Sequence, residues 1–154
     1  MRRPAVLVLG LALLAGCGGD DDGPSKERFV ADANRICREG EARIAEVTRE
    51  QQARLRAGTG DRRVIAEVLE TTTKAYEPYF ERLRALEAPG ELEDGWTKFL
   101  DGVDEAFGLI PELADATRER DRATLSELTT KFSEIADRTR PFAQQNGLSD
   151  CLPD

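Results

Sequence analysis

From Phe29 onward, apolar residues recur in steps of mostly three and four: Phe29, Ala33, Ile36, Cys37, Ile44, Val47 and Leu55. That spacing keeps one face of a helix apolar. Ser25 is placed to cap its start, and Gly58-Thr59-Gly60 breaks it. Asp61 caps a second helix, with Ile65, Val68, Thr72, Ala75, Tyr79, Leu83 and Leu86 inward, a kink at Pro78 and an end near Ala88-Pro89-Gly90. A third runs from about Glu91 to Arg120 and presents Trp96, Phe99, Leu100, Val103, Phe107, Ile110 and Ala114, with Pro111 bending its last part. Asp121 caps the fourth, whose stripe is Leu125, Leu128, Phe132, Ile135, Phe142 and Ala143, with a bend at Pro141. Gly147 suits the left-handed position after its end, which would fold Leu148 back on Phe142 or Ala143.

Ahead of these helices the pattern changes. Met1-Arg2-Arg3 is followed by an apolar run from Pro4 to Leu14 and small residues before Cys17, the layout of a signal peptide. The run is about ten residues, short of the roughly twenty that a membrane-spanning helix needs. Leu14-Ala15-Gly16-Cys17 resembles the lipobox of bacterial lipoproteins. The resemblance implies cleavage behind Gly16 and acylation of Cys17. Three segments follow: a signal peptide over 1–16, a lipidated cysteine and tether over 17–24, and a helical domain over 25–154. In the tether, Gly18-Gly19-Asp20-Asp21-Asp22-Gly23-Pro24 carries no apolar residue and reads as solvated spacer.

With Cys17 assigned to lipid, Cys37 and Cys151 remain. In an oxidising compartment such a pair reads as one disulfide, the alternative being two inert thiols. No stretch alternates with period two, and four helices on short connections take antiparallel neighbours by default. The expected fold is therefore all-α, an up-down-up-down four-helix bundle with kinked helices and one N-to-C-terminal disulfide. The first helix would be about 48 Å long and the fourth about 37 Å. If the two are neighbours, the residues after Gly147 end within reach of Cys37.

Charge and missing residue types narrow the function. The formal charge is −8, and removing residues 1–16 takes away two arginines and leaves −10. Such a field repels nucleic acid and anionic headgroups, so covalent lipid on Cys17 rather than a basic patch is expected to hold the protein on its membrane. The chain has no histidine, which removes His-based acid–base and nucleophile systems and the Glu-x-x-His ligands of di-iron bundles. Its one methionine, Met1, leaves with the leader. No catalytic residue, metal site or cofactor is therefore assigned. A hydrolase using paired carboxylates is the remaining enzymatic option, but no pair can be placed across a cleft.

The most acidic segment lies between Glu87 and Glu112, where Asp94, Asp101, Glu105 and Glu112 fall within roughly 20° of one helical line. This face could dock a basic partner or collect divalent cations weakly. A plain solvated face is the preferred alternative, because hard cations want oxygens converging from several directions. On the same helix, Gly95 and Gly102 cost about 1 kcal/mol each relative to Ala, which implies either close approach of a neighbouring helix or the mouth of a cavity. Tyr76, Tyr79 and Phe80 flank Pro78 and could line such a cavity, but aromatic residues at helical spacing read first as core. Glu39 with Arg43 and Glu50 with Arg54 are i,i+4 pairs in the favourable order.

Two segments, Phe29-Val30-Ala31-Asp32-Ala33-Asn34-Arg35-Ile36-Cys37 and Asn146-Gly147-Leu148-Ser149-Asp150-Cys151, together with the lipobox, resemble small lipoproteins of high-GC Gram-positive (actinobacterial) bacteria. The excess of Arg over Lys fits a GC-rich genome. The resemblance implies export, anchoring on the extracytoplasmic face of the cell membrane and a stapled helical domain; it brings no activity with it. The expected function is a non-catalytic interaction or scaffold module at the cell envelope, with a protein partner. The alternative is a carrier of a small ligand or cation between the helices.

Overall fold

The computed structural model describes residues 24–57 and 61–152. The leader, the lipobox with Cys17, the tether up to residue 23 and the Gly58-Thr59-Gly60 connection lie outside the described residues. The described residues are all-helical: α1 (Lys26–Ala57), α2 (Arg62–Arg84), α3 (Gly90–Gly108), α4 (Ile110–Glu119), α5 (Arg122–Gln145) and a final 3₁₀ turn at Ser149–Cys151.

The helix boundaries follow from local chemistry. The Arg28 N–H donates to Ser25 Oγ at 3.3 Å, Arg63 N–H to Asp61 at 3.0 Å, and Ala123 and Thr124 N–H to Asp121 at 3.0 and 3.1 Å. Each satisfies a donor that a helix start leaves orphaned. At the other end of α5, Gly147 takes φ +74°, and Leu148 and Gly147 N–H return to Ala143 and Gln144 carbonyls at 2.9 and 3.5 Å. This paired closure needs a left-handed residue, and it buries Leu148 fully.

The third predicted helix is two. Pro111 has no N–H to give the Phe107 carbonyl, so α3 ends with a tighter Leu109-to-Ala106 bond at 3.2 Å and α4 begins with Pro111 in its first turn, where a missing donor costs nothing. The helix is therefore interrupted at Leu109. Ile65, expected inward, is 39% exposed at the start of α2. The helical-face pairs also rearrange: Glu39 binds Arg35 and Arg82, Arg43 binds Glu46, and Arg54 binds Glu67. Glu39 thus takes its i,i+4 partner on the other side, Arg35, together with Arg82 of α2, while Arg43 takes a partner three residues away and Arg54 one on α2.

The core runs through all the long helices. Phe29 meets Trp96 edge-on at 5.0 Å, Trp96 stacks on Phe99 at 5.4 Å, and Phe99 leans on Phe142 at 6.1 Å. Helix α1 packs on α2, α2 on α4, α3 on α5, and α4 on α5.

Candidate ligand cleft

Glycines decide which helices close up. A Cβ at Gly40 of α1 would collide with the Tyr76 ring of α2, one at Gly95 with the Phe142 ring, and one at Gly102 with the Thr139 methyl. The absence of side chains at these points lets α1 settle against α2 and α3 against α5. Of the two explanations for Gly95 and Gly102, close helix approach is the one realised. Gly40 went unnoticed in the sequence, although it stands four residues from both Ile36 and Ile44 on the apolar face.

Between α1 and α5 no such contact forms. Among the described residues, their Cα atoms come nowhere within 8 Å of each other. Cys151 reaches Cys37 without direct contact between the two helices: the segment after α5 crosses the gap. Asn34 holds that segment from α1, its amide donating to the Gly147 carbonyl at 2.8 Å while its own oxygen accepts from Asp150 N–H at 3.1 Å. Arg38 pairs with Asp150, and Cys37 and Cys151 form the disulfide, with Cα atoms 5.1 Å apart.

Beneath this strap the space between α1 and α5 is a cleft with α3 as its floor. Phe99, Val103 and Phe107, four residues apart on α3, line both halves of it, and Cys151 and Leu152 overhang both. The half towards α1 and α2 is about 310 Å³, bounded by Ile44 and Tyr76 with Glu41 and Asp150 among its lining. The half towards α5 is also about 310 Å³, bounded by Phe132, Ile135 and Ala136 with Thr139 and Arg140. Each lies at the lower end of the range for small-molecule sites, and both have the apolar lining with few polar groups that such sites show. A separate cavity of about 360 Å³ between α2 and α4 is lined by Glu70, Glu77, Glu81, Lys74, Arg84 and Asp104 around Phe80 and Ile110, and its Arg84 is spent on Asp104 at 2.5 Å.

In the cleft, burial pushes the Tyr76 hydroxyl pKa up, with the Glu41 charge as the smaller cause. On the surface, hydrogen bonds from Arg82 and then Arg35 hold the Glu39 carboxyl below the usual range. Hydrogen bonds from the Thr124 side chain and backbone do the same for Asp121.

The acidic residues singled out from the sequence lie elsewhere. Asp94, Asp101 and Glu105 are exposed on α3, and Glu105 pairs with Arg138 of α5. Glu112 belongs to α4, beyond the break at Leu109, so the turn arithmetic that aligned it with the others does not carry across. Among the described residues no group of three or more His, Cys, Asp or Glu is arranged to hold a metal ion, and no helix is long and apolar enough to cross a membrane. Phe132, Ile44 and Val103 were legible as core stripe, but periodicity does not say that a stripe faces a gap. Compared with known proteins, the chain matches no family model, no curated protein and no solved structure.

Proposed function

We propose that this chain is a non-catalytic binding protein, anchored through acylated Cys17 on the extracytoplasmic face of the cell membrane, that carries a small apolar molecule in the cleft between α1 and α5. The cleft carries this reading: an apolar floor at Val103 and Phe107 stands open where neighbouring helices elsewhere in the molecule are in contact. The carrier reading, second on sequence grounds, thereby moves ahead of an interaction module. Anchoring rests on the Leu14-Ala15-Gly16-Cys17 signal and the short apolar run before it. The spacer-like composition after Cys17 supports the same division into leader, tether and domain. With α3 and α4 taken as one broken helix, the pairings support an up-down-up-down course, kinked at Pro78 and Pro141, which lie inside α2 and α5. A protein partner at the acidic face is the second reading, favoured by Asp94 and Asp101, which are exposed and make no ion pair among the described residues.

Native mass spectrometry of the protein exported by a lipoprotein-competent host tests the proposal. The expected mass begins at acylated Cys17 and carries a reproducible small adduct, which disappears in Val103→Trp, where the indole fills the floor, while the helical circular dichroism is retained. Acyl label persisting on Cys17→Ala overturns the anchor. A protein free of adduct that also takes up no added alkanol overturns the carrier.

A further inference from the structure

The two halves of the cleft are alike in volume but differ in their polar lining. Towards α1 the polar lining is acidic, Glu41 and Asp150. Towards α5 it is Thr139 and Arg140. Thr139 is already engaged, its hydroxyl donating to the Ile135 carbonyl at 2.8 Å. Arg140 differs from most arginines of α1, α2 and α4. Asp137 stands three residues before it, yet Arg140 makes no ion pair among the described residues. It is exposed at the edge of a site otherwise walled by Phe132, Ile135, Ala136 and the α3 floor. An uncommitted guanidinium beside an apolar trough suits a molecule with one negative group and a hydrocarbon body, since guanidinium binds carboxylate or phosphate oxygens through two parallel hydrogen bonds.

Resting on the carrier reading above, we propose that the cleft selects single-chain anionic amphiphiles, with Arg140 holding the head group at the α5 side and the chain lying over Val103 and Phe107 towards Ile44. The global charge of −8 opposes any anion, so a local cation is what makes such a ligand acceptable. At the opposite end Asp150 is already paired with Arg38 and, among the described residues, no cation lines that half, so Arg140 alone sets where the head group lies. The two halves, about 310 Å³ each, share the Val103 and Phe107 floor and so give room for a chain that runs from one to the other.

The test uses the full chain with Cys17→Ala, so that no acyl group of its own competes, titrated calorimetrically below micellar concentration with dodecanoate, dodecyl phosphate, dodecanol and dodecylammonium. Dodecanoate or dodecyl phosphate should bind about tenfold more tightly than dodecanol, and Arg140→Gln should erase that advantage while leaving dodecanol affinity unchanged. Whichever anion is preferred distinguishes a carboxylate from a phosphate head. Arg122→Gln, an exposed arginine of α5 away from the cleft, should change nothing. If dodecanol binds as well as the anions, or dodecylammonium binds best, or Arg140→Gln leaves the anions unaffected, this inference falls while the carrier stands. If none of the four binds, the carrier falls with it.

Discussion

Besides its contact with α4, helix α5 presents two contrasting seams. Towards α3, Phe142 and Thr139 lie against Gly95 and Gly102 where no side chain intervenes, and Arg138 reaches Glu105 across the surface. Towards α1, Phe132 and Ile135 look into a cleft, and among the described residues the gap is spanned by the strap that Asn34, Arg38 and Cys37 hold. Both seams are built from apolar residues, so hydrophobicity does not distinguish them. Small residues do: where a helix offers glycine on its apolar face the neighbour comes close and its ring or methyl occupies the space, and where it offers Ile44 and Cys37 the neighbour stands off. Closed packing and an open site thus arise within one helix from the size of the opposing side chains.

The largest effect is expected from removing the strap. Replacing both Cys37 and Cys151 by Ala should cost about 2–5 kcal/mol in urea unfolding, because the disulfide closes a span of 114 residues. It should also raise amide exchange across residues 147–152 far more than in α3. Unchanged exchange there would mean that Asn34 and Leu148 suffice to hold the strap. A smaller change should separate the seams. Gly95→Ala should destabilise by about 1–3 kcal/mol despite its better helix propensity, since Phe142 is itself held against Phe99. Gly90→Ala, where a Cβ meets nothing within 4 Å, should stay within about 0.5 kcal/mol. Equal effects at the two positions would remove close packing as the explanation.

Much of this fold is legible in the sequence. The 3.6-residue stripes, Asp61 and Asp121 as caps, Gly147 as the left-handed closure and the Cys37 to Cys151 bond all follow from rules that act over a few residues or on cysteine count. The break at Leu109 was half legible: Pro111 announces a lost hydrogen bond, but helical periodicity continues through it from Phe107 to Ala114 and hides the interruption. The cleft was not legible. Val103, Phe107 and Phe132 satisfy the same pattern as true core residues, and whether another helix covers them depends on where glycines on other elements allow contact.

The smallest expected effect concerns the closed α1–α2 seam. Arg82 of α2 bonds Glu39 of α1 at 2.6 Å and with Arg35 lowers its pKa. A carboxyl with a lowered folded pKa contributes its stability fully above the ordinary glutamate value of about 4.3, and loses it as pH falls through the lower folded value. Carbon-detected NMR titration should place the Glu39 midpoint below the ordinary glutamate value, with Arg82→Gln moving it back up. A midpoint unchanged by that substitution would show that the bridge does not persist in solution.

The open seam itself is tested most directly by methyl NMR of the protein with a small soluble nitroxide. The account predicts that Val103, Ile44 and Leu152 methyl signals broaden well before those of Leu128 and Leu148, which are fully buried. Val103 protected as strongly as Leu128 would mean that α1 and α5 close over α3, and the cleft on which the functional proposal stands would not exist.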